Sequence, residues 1–225
     1  DESYETSWAR LWTGYILCSC CRGIRTLNGV CPVCGDSLAE PTWTILRMED
    51  GTERAFPPAY AGAEGRYEDH VYLRMLQREW TRPLAQGDLL QDIPERSRPS
   101  PRAAIVLLFW TYFETRIDRL FRQAMKHMPG TSADDLLRRY SGVGTRLDRL
   151  YRILFDSTYW RDLEEMGYAE VAELLRRLQD ARNRFAHGEP YAIDDGLVYT
   201  LICDLKHEHE AWIAAFNRRA AQKNL

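Results

Sequence analysis

Two groups of residues in this chain have the types and spacing to do chemistry. One is Arg182-Asn183-Arg184-Phe185-Ala186-His187, followed by Gly188. A guanidinium, an amide and an imidazole this close together can bind a phosphate, orient it and move a proton. The other is Cys18-x2-Cys21-x9-Cys31-x2-Cys34, four thiols in two close pairs. Each pair can fold as a knuckle that aims two thiolates at one ion. Two knuckles supply the tetrahedron that Zn2+ prefers.

Five of the six cysteines fall within residues 18–34. Such clustering reads as a metal site in a reducing compartment rather than a disulfide framework. Gly23 and Gly35 follow the two pairs closely and suit the turns a knuckle needs. Four thiolates leave the centre negatively charged, and Arg22 and Arg25 are near enough in sequence to offset that. Cys20 is surplus; it could replace a ligand, but Cys18 with Cys21 makes the better knuckle. With Cys18, Cys21, Cys31 and Cys34 as ligands, Zn2+ has no open position for a catalytic water, so its role is structural. A redox dithiol and chance clustering are the competing readings. The pattern resembles a zinc ribbon over about 25 residues.

Arg182 lies four residues after Leu178 and three before Phe185. On a helix this places it on the apolar stripe of Val171, Leu174, Leu175, Leu178 and Phe185. A guanidinium there is costly unless it meets an anion or opens into a cleft. Asn183 and His187 are four apart and share a neighbouring face. His187 falls in the last turn, where the helix dipole favours an imidazolium, and histidine is the natural acid or base near neutral pH. Spacing alone leaves a second reading open: an arginine buried against an acid from another helix, and a solvated terminal histidine.

The elements that must position these groups follow from periodicity. Trp8, Leu11, Trp12 and Tyr15 suggest a short helix within residues 1–16. Residues 17–41 form the cysteine-rich unit. Thr42–Met48 and Thr52–Phe56 read as a hairpin turned by Asp50-Gly51. Residues 68–80 read as a helix with Val71, Leu73, Met75, Leu76 and Trp80 inward. Pro83, Pro94, Pro99 and Pro101 interrupt residues 82–101, which read as a linker.

From residue 102 the pattern is helical. A long helix, about Arg102–Lys126, carries the stripe Val106, Phe109, Phe113, Ile117, Leu120 and Ala124. Ser132 and Asp135 resemble a capping box that opens a second helix. Further helices are expected over about 145–155, 160–166, 169–187 and from Asp195 onward. Gly188 should cap the fifth of these six, and Pro190 should prevent its continuation. The expected fold is mainly α: a small four-cysteine zinc-ribbon and β-hairpin domain (1–81), a linker (82–101) and an antiparallel helical bundle (102–225).

The chain of 225 residues is 45% hydrophobic, so it can build a real core. Residues 1–100 carry a net charge of -4 and residues 101–225 a net +1. Neither half is broadly basic, which counts against a DNA-binding regulator built on the ribbon. The longest clean apolar run, Ala103–Trp110, is too short to span a membrane. The stretch from Asp1-Glu2-Ser3 lacks the pattern of a secretion signal, so a cytoplasmic location is expected.

Arg182-Asn183-x3-His187, ending a helix in a C-terminal bundle, resembles the signature of the HEPN superfamily, R-x4-6-H with a polar residue after the arginine. The likeness covers about residues 101–225. It includes the helix order, Gly188 and the segment Tyr112-Phe113-Glu114, where several family members carry an acid. The resemblance implies a metal-independent endoribonuclease. It would act as a homodimer whose signature helices face each other and share one cleft. The substrate would be RNA, cut by attack of its own 2′-OH to leave a 2′,3′-cyclic phosphate and a 5′-OH. His187 would be the acid or base, Arg182 would stabilise the phosphorane, Asn183 would orient His187 or the phosphate, and Glu114 would position Arg182. Many family members act in toxin–antitoxin systems or phage defence, with a protein regulator or antitoxin as partner. Others have lost catalysis and serve as interaction modules.

Four further features read as structural. Ser141-Gly142-Val143-Gly144-Thr145 lacks the ending of a phosphate loop and reads as a turn. His207 and His209 face different ways on a helix and read as part of a solvated face with Lys206, Glu208 and Glu210. Cys203 reads as a buried thiol among Leu201, Ile202 and Leu205. Tyr112 and Tyr199 read as core.

Overall fold

The computed structural model describes residues 11, 15–18, 20–26, 29–37, 44–56, 67–84 and 92–221. Two short antiparallel hairpins precede a run of helices. Strand β1 (Tyr15–Leu17) pairs with β2 (Ile24–Thr26), with Tyr15 opposite Thr26. Strand β3 (Thr44–Arg47) pairs with β4 (Glu53–Phe56), with Thr44 opposite Phe56. The expected turn joins β3 to β4: Gly51 has φ +80°, and Asp50 accepts from the Thr52 amide at 2.9 Å. The helix expected over residues 1–16 does not reach its proposed end, because Tyr15 already belongs to β1. Most of residues 1–14, with Trp8 and Trp12, lie outside the described residues.

The helices are α1 (Tyr67–Thr81), α2 (Ala104–Ala124), α3 (Gly130–Arg139), α4, α5 (Tyr159–Glu165), α6 (Ala169–Ala186) and α7 (Asp195–Arg219). Helix α4 comprises Val143–Thr145, Arg146–Leu150 and Tyr151–Phe155 without a break, its middle stretch wound as a π-helix. The described chain is thus mainly helical, with a small antiparallel hairpin beside the cysteine cluster. Among the described residues, no helix is long and apolar enough to cross a membrane.

Helix α3 starts earlier than the expected capping box. Pro129 precedes it, and its carbonyl already accepts from the amides of Ser132 and Ala133 at 2.9 and 3.1 Å. No side chain caps this end, so Ser132 and Asp135 lie inside the helix. Helix α7 is capped by Asp194, which accepts from the Leu197 amide at 2.7 Å.

The α2 stripe is buried as expected from Val106 to Leu120, and Trp110, Tyr112 and Phe121 widen it. On α1, Leu73 and Leu76 are buried, whereas Val71 and Met75 are exposed. Leu11, Ile24, Leu73 and Leu76 share one apolar core with helices α2 to α7. Asp69 on α1 pairs with buried Arg119 on α2 at 2.5 Å. Contacts therefore link residues on both sides of the proline-interrupted stretch.

Helix α7 is packed by α2, α5, α6 and β2. With neighbours on several sides, its buried arc is wider than that of a helix on a surface. This overturns the reading of Glu208 and His209 as solvated: both are buried, and only their neighbours Lys206 and His207 are exposed. It also explains the opposite error at Cys203 and Tyr199. Both sit on the narrow outer face of α7 and are exposed.

Candidate functional site

The four cysteines converge. One Sγ atom from each of Cys18, Cys21, Cys31 and Cys34 lies within 4.8 Å of all the others. Cys18 and Cys34 are 3.7 Å apart, and Cys21 and Cys31 are 3.5 Å apart. Zinc–sulfur bonds of roughly 2.3 Å in a tetrahedron place sulfurs about 3.8 Å apart. The donor set and its spacing therefore fit a tetrahedral thiophilic cation. Burial pushes the Cys21 thiol up, against a bond from the Gly23 amide, and the other three sulfurs add to the rise. Thiol protons must leave as a cation enters.

The two knuckles repeat one backbone pattern. The Cys18 amide donates to the Gly23 carbonyl and the Arg22 amide to the Cys18 carbonyl, at 2.8 and 2.9 Å. The Cys31 amide donates to the Asp36 carbonyl and the Gly35 amide to the Cys31 carbonyl, both at 2.9 Å. The left-handed positions are Arg22 (φ 61°) and Gly35 (φ 74°). Gly35 fills the role expected of it, whereas Gly23 stands one residue past the left-handed position. Gly23 is small for another reason: a Cβ there would come 2.8 Å from Val33 Cγ2 and 3.2 Å from Asn217 Oδ1.

Arg25 was expected near the ligands as a counter-charge, and its part is more specific. It is buried and donates to the carbonyls of Asp36 (2.9 Å) and Gly29, tying β2 to the second knuckle. Cys20 is exposed, outside the sulfur cluster.

The Arg-Asn-x3-His segment ends α6. The Glu189 amide donates to the Arg184 carbonyl at 2.9 Å and the Gly188 amide to the Phe185 carbonyl at 3.2 Å. With Gly188 at φ +95°, this is a Schellman end, and Gly188 is the cap that the sequence predicts. A Cβ at Gly188 would meet nothing within 4 Å, so its cost is conformational alone. Gly188→Ala should lower the unfolding free energy by about 1 kcal/mol, read from the urea midpoint. An unchanged midpoint would mean that α6 does not depend on this end.

Arg182 is half-buried at the edge of the apolar face, beside buried Leu178 and Ala181. Its Nη1 donates to Asn183 Oδ1 at 3.1 Å, and it forms no ion pair with any described residue. Asn183 and His187 are exposed. Glu114 is not brought to Arg182; its Oε1 accepts from the Trp110 indole at 2.9 Å. Arg184 pairs with Glu189 at 2.7 Å.

Compared with protein-family models, curated proteins and solved structures, the chain matches none of them.

A cavity of about 360 Å3 lies beside α6 and the start of α7, lined by Arg176, Arg177, Asp180, Arg184 and Asp194 among others. Its charges are largely matched within the chain. Arg176 pairs with Glu164 at 2.9 Å and lies over the Trp160 ring, while Arg184 holds Glu189. Arg177 forms no ion pair among the described residues.

Three polar clusters escaped the sequence pattern. Arg116 and Glu208 form a buried pair at 2.7 Å between α2 and α7. Asp162 gathers Tyr151, Ser157 and Arg219. Asn217 binds both backbone groups of Ile24, at 2.6 and 2.8 Å. Arginines on an apolar stripe were the available signal for the first: Arg116 follows Tyr112 and Phe113 at helical spacing, as Arg182 follows Leu178.

Proposed function

We propose that the chain is a metal-independent HEPN-type endoribonuclease that acts as a homodimer, in a toxin or phage-defence setting. The observation that carries this reading is Arg182. It is a half-buried guanidinium held by Asn183, with no carboxylate partner among the described residues. A purely structural arginine on an apolar face would have an acid beside it, as Arg116 and Arg119 do.

Arg182 and His187 are five residues apart, which at about 100° per residue turns them to different sides of the helix end. One chain therefore does not aim both at a single phosphate. A second copy, packed through the α6 ends, supplies the missing half. RNA then lies across the junction. The 2′-OH attacks the adjacent phosphorus and the 5′-oxygen leaves, giving a 2′,3′-cyclic phosphate and a 5′-OH. His187 takes the proton from the 2′-OH or delivers one to the leaving oxygen. Arg182 stabilises charge on the phosphorane oxygens, and Asn183 orients Arg182. Cys18, Cys21, Cys31 and Cys34 would hold Zn2+, and with all four ligands thiolates the ion would brace the ribbon rather than act on the substrate.

Incubation with total RNA, without added Mg2+, should yield ends of this chemistry. His187→Ala and Arg182→Ala should each slow cleavage by about a hundredfold or more. Cleavage that survives both substitutions would end the reading. A second reading is a non-catalytic interaction module. The matched charges around α6 favour it, because they leave little net attraction for a polyanion. It predicts intact RNA beside a well-folded dimer.

A further inference from the structure

The two knuckles and the last helix meet at one point. Gly23 sits where a Cβ would press on Val33 of the second knuckle, on Asn217 and on Ala221, at 2.8, 3.2 and 3.3 Å. The backbone of Gly23 is fixed by the cysteines: its carbonyl accepts from the Cys18 amide, and its amide donates to Cys21 Sγ at 3.4 Å. The next residue, Ile24, is buried in the main core and gives its amide and carbonyl to the Asn217 side chain. Asn217 is 193 residues away in sequence, near the C-terminal end of α7.

Besides the β1–β2 pairing and the Arg25 bonds to the second knuckle, the described ribbon has only a small core of its own. Cys18, Cys21 and Cys31 form a separate small cluster with Val33 and Cys34 packed on it, apart from the main core. A module of this size takes its cohesion from the bound cation. A side-chain amide that satisfies both polar groups of one residue needs that residue held still. Where the knuckle holds it, Asn217 is anchored; where the knuckle opens, the bidentate contact has no fixed partner.

We propose that the four-cysteine centre is a releasable clamp on α7: with its cation bound, it holds the C-terminal turns of α7 through Gly23, Ile24 and Asn217, and cation release frees them. This rests on the four cysteines being a metal site, and it is independent of the RNA chemistry. The neighbouring residue Arg219 carries the Asp162 contacts. Release would thus reach the end of α7 that meets α5.

The test is hydrogen exchange on the full chain, read by mass spectrometry over residues 209–221, with 171–181 of α6 as the internal reference. Metal content is counted on the same samples. In the zinc-loaded protein, 209–221 should be protected. Stripping the metal should raise exchange there by about tenfold, well beyond any change in 171–181. Zinc-loaded Asn217→Ala should show the same local rise with its metal still bound, and Asn217→Asp, which keeps an acceptor for the Ile24 amide, should recover part of the protection. A rise in 171–181 as large as that in 209–221 after stripping overturns the clamp, because release is then global and not local. Protection in zinc-loaded Asn217→Ala equal to wild type overturns it as well. So does unchanged protection after the counted metal is gone. A chain that takes up no zinc overturns the metal site itself, which the metal count separates from failure of the clamp.

Discussion

Replacing Arg116 with methionine should lower the unfolding free energy by about 3–5 kcal/mol. Arg116 and Glu208 have side chains 0% and 1% exposed. One guanidinium nitrogen donates to both carboxylate oxygens, at 2.7 and 2.8 Å. The guanidinium also lies 4.1 Å over the Tyr112 ring and 5.5 Å from the Trp212 ring. Burial opposes its charge, but Glu208 beside it wins and holds Arg116 above the ordinary arginine range. Methionine keeps much of the volume and none of the charge, so a carboxylate is left in the core with its partner gone. A loss of this size is a large share of the roughly 5–15 kcal/mol that keeps a domain folded. The double variant Arg116→Met/Glu208→Leu should recover most of it, because a buried pair exchanged for apolar groups is often near neutral. Urea titrations of the three proteins check this. A single variant within about 1 kcal/mol of wild type would mean that the pair is not load-carrying in the core.

Acid should weaken the fold well before its surface carboxylates titrate. His209 is buried on α7, and burial, with Arg116 nearby, pushes it down to about 3 against a bond to Leu11 that favours the charged form. An unfolded histidine titrates near 6.5. Between those values the unfolded chain binds a proton that the folded chain does not. Stability is therefore full above about pH 6.5 and falls as pH drops, by up to about 1.4 kcal/mol per pH unit. Glu208 acts in the opposite sense. Burial raises its carboxyl despite Arg116, so the folded chain takes that proton first and offsets part of the loss. Asp162 joins only at lower pH. Burial would raise it, but Arg219, Tyr151 and Ser157 outweigh that and hold it below the usual range. Its share is lost as pH falls below about 3.9. Urea midpoints at pH 7.5, 6 and 5 for wild type and His209→Phe isolate the histidine. The slope should shrink in the variant; equal slopes would place the acid sensitivity elsewhere.

His209 and Glu208 also show why the sequence pattern had limits. All five residues of the Lys206–Glu210 stretch are polar and titratable, and by composition it reads as solvent-facing. Composition carries no information about how many neighbours surround a helix. Helix α7 is enclosed by α2, α5, α6 and β2, so polar residues on its flanks are buried and must find partners. Cys203 and Tyr199 are the converse, apolar in company yet facing outward. The helix ends were more legible. Gly188 and Pro190 marked the end of α6 and Asp50-Gly51 marked the β3–β4 turn, because each acts on backbone within a few residues. At the candidate site, the spacing placed Arg182 on the apolar stripe, where the structure has it half-buried at the edge, and His187 at the helix end. The family resemblance, not the spacing, gave Glu114 the role of positioning Arg182, and in the structure Glu114 accepts from Trp110 instead.

What the sequence by itself determined is local: two cysteine knuckles, the hydrophobic periods of α2 and α6, and the glycine that ends α6. Such features depend on residues within one or two turns, where spacing fixes geometry. What only the tertiary structure decided is partnership. Arg116 meets Glu208 across 92 residues and Asn217 meets Ile24 across 193. The four thiols converge as one cluster through the packing of one knuckle on the other. A buried charge or a backbone amide needs a partner, and sequence spacing says that it must be satisfied without saying by whom.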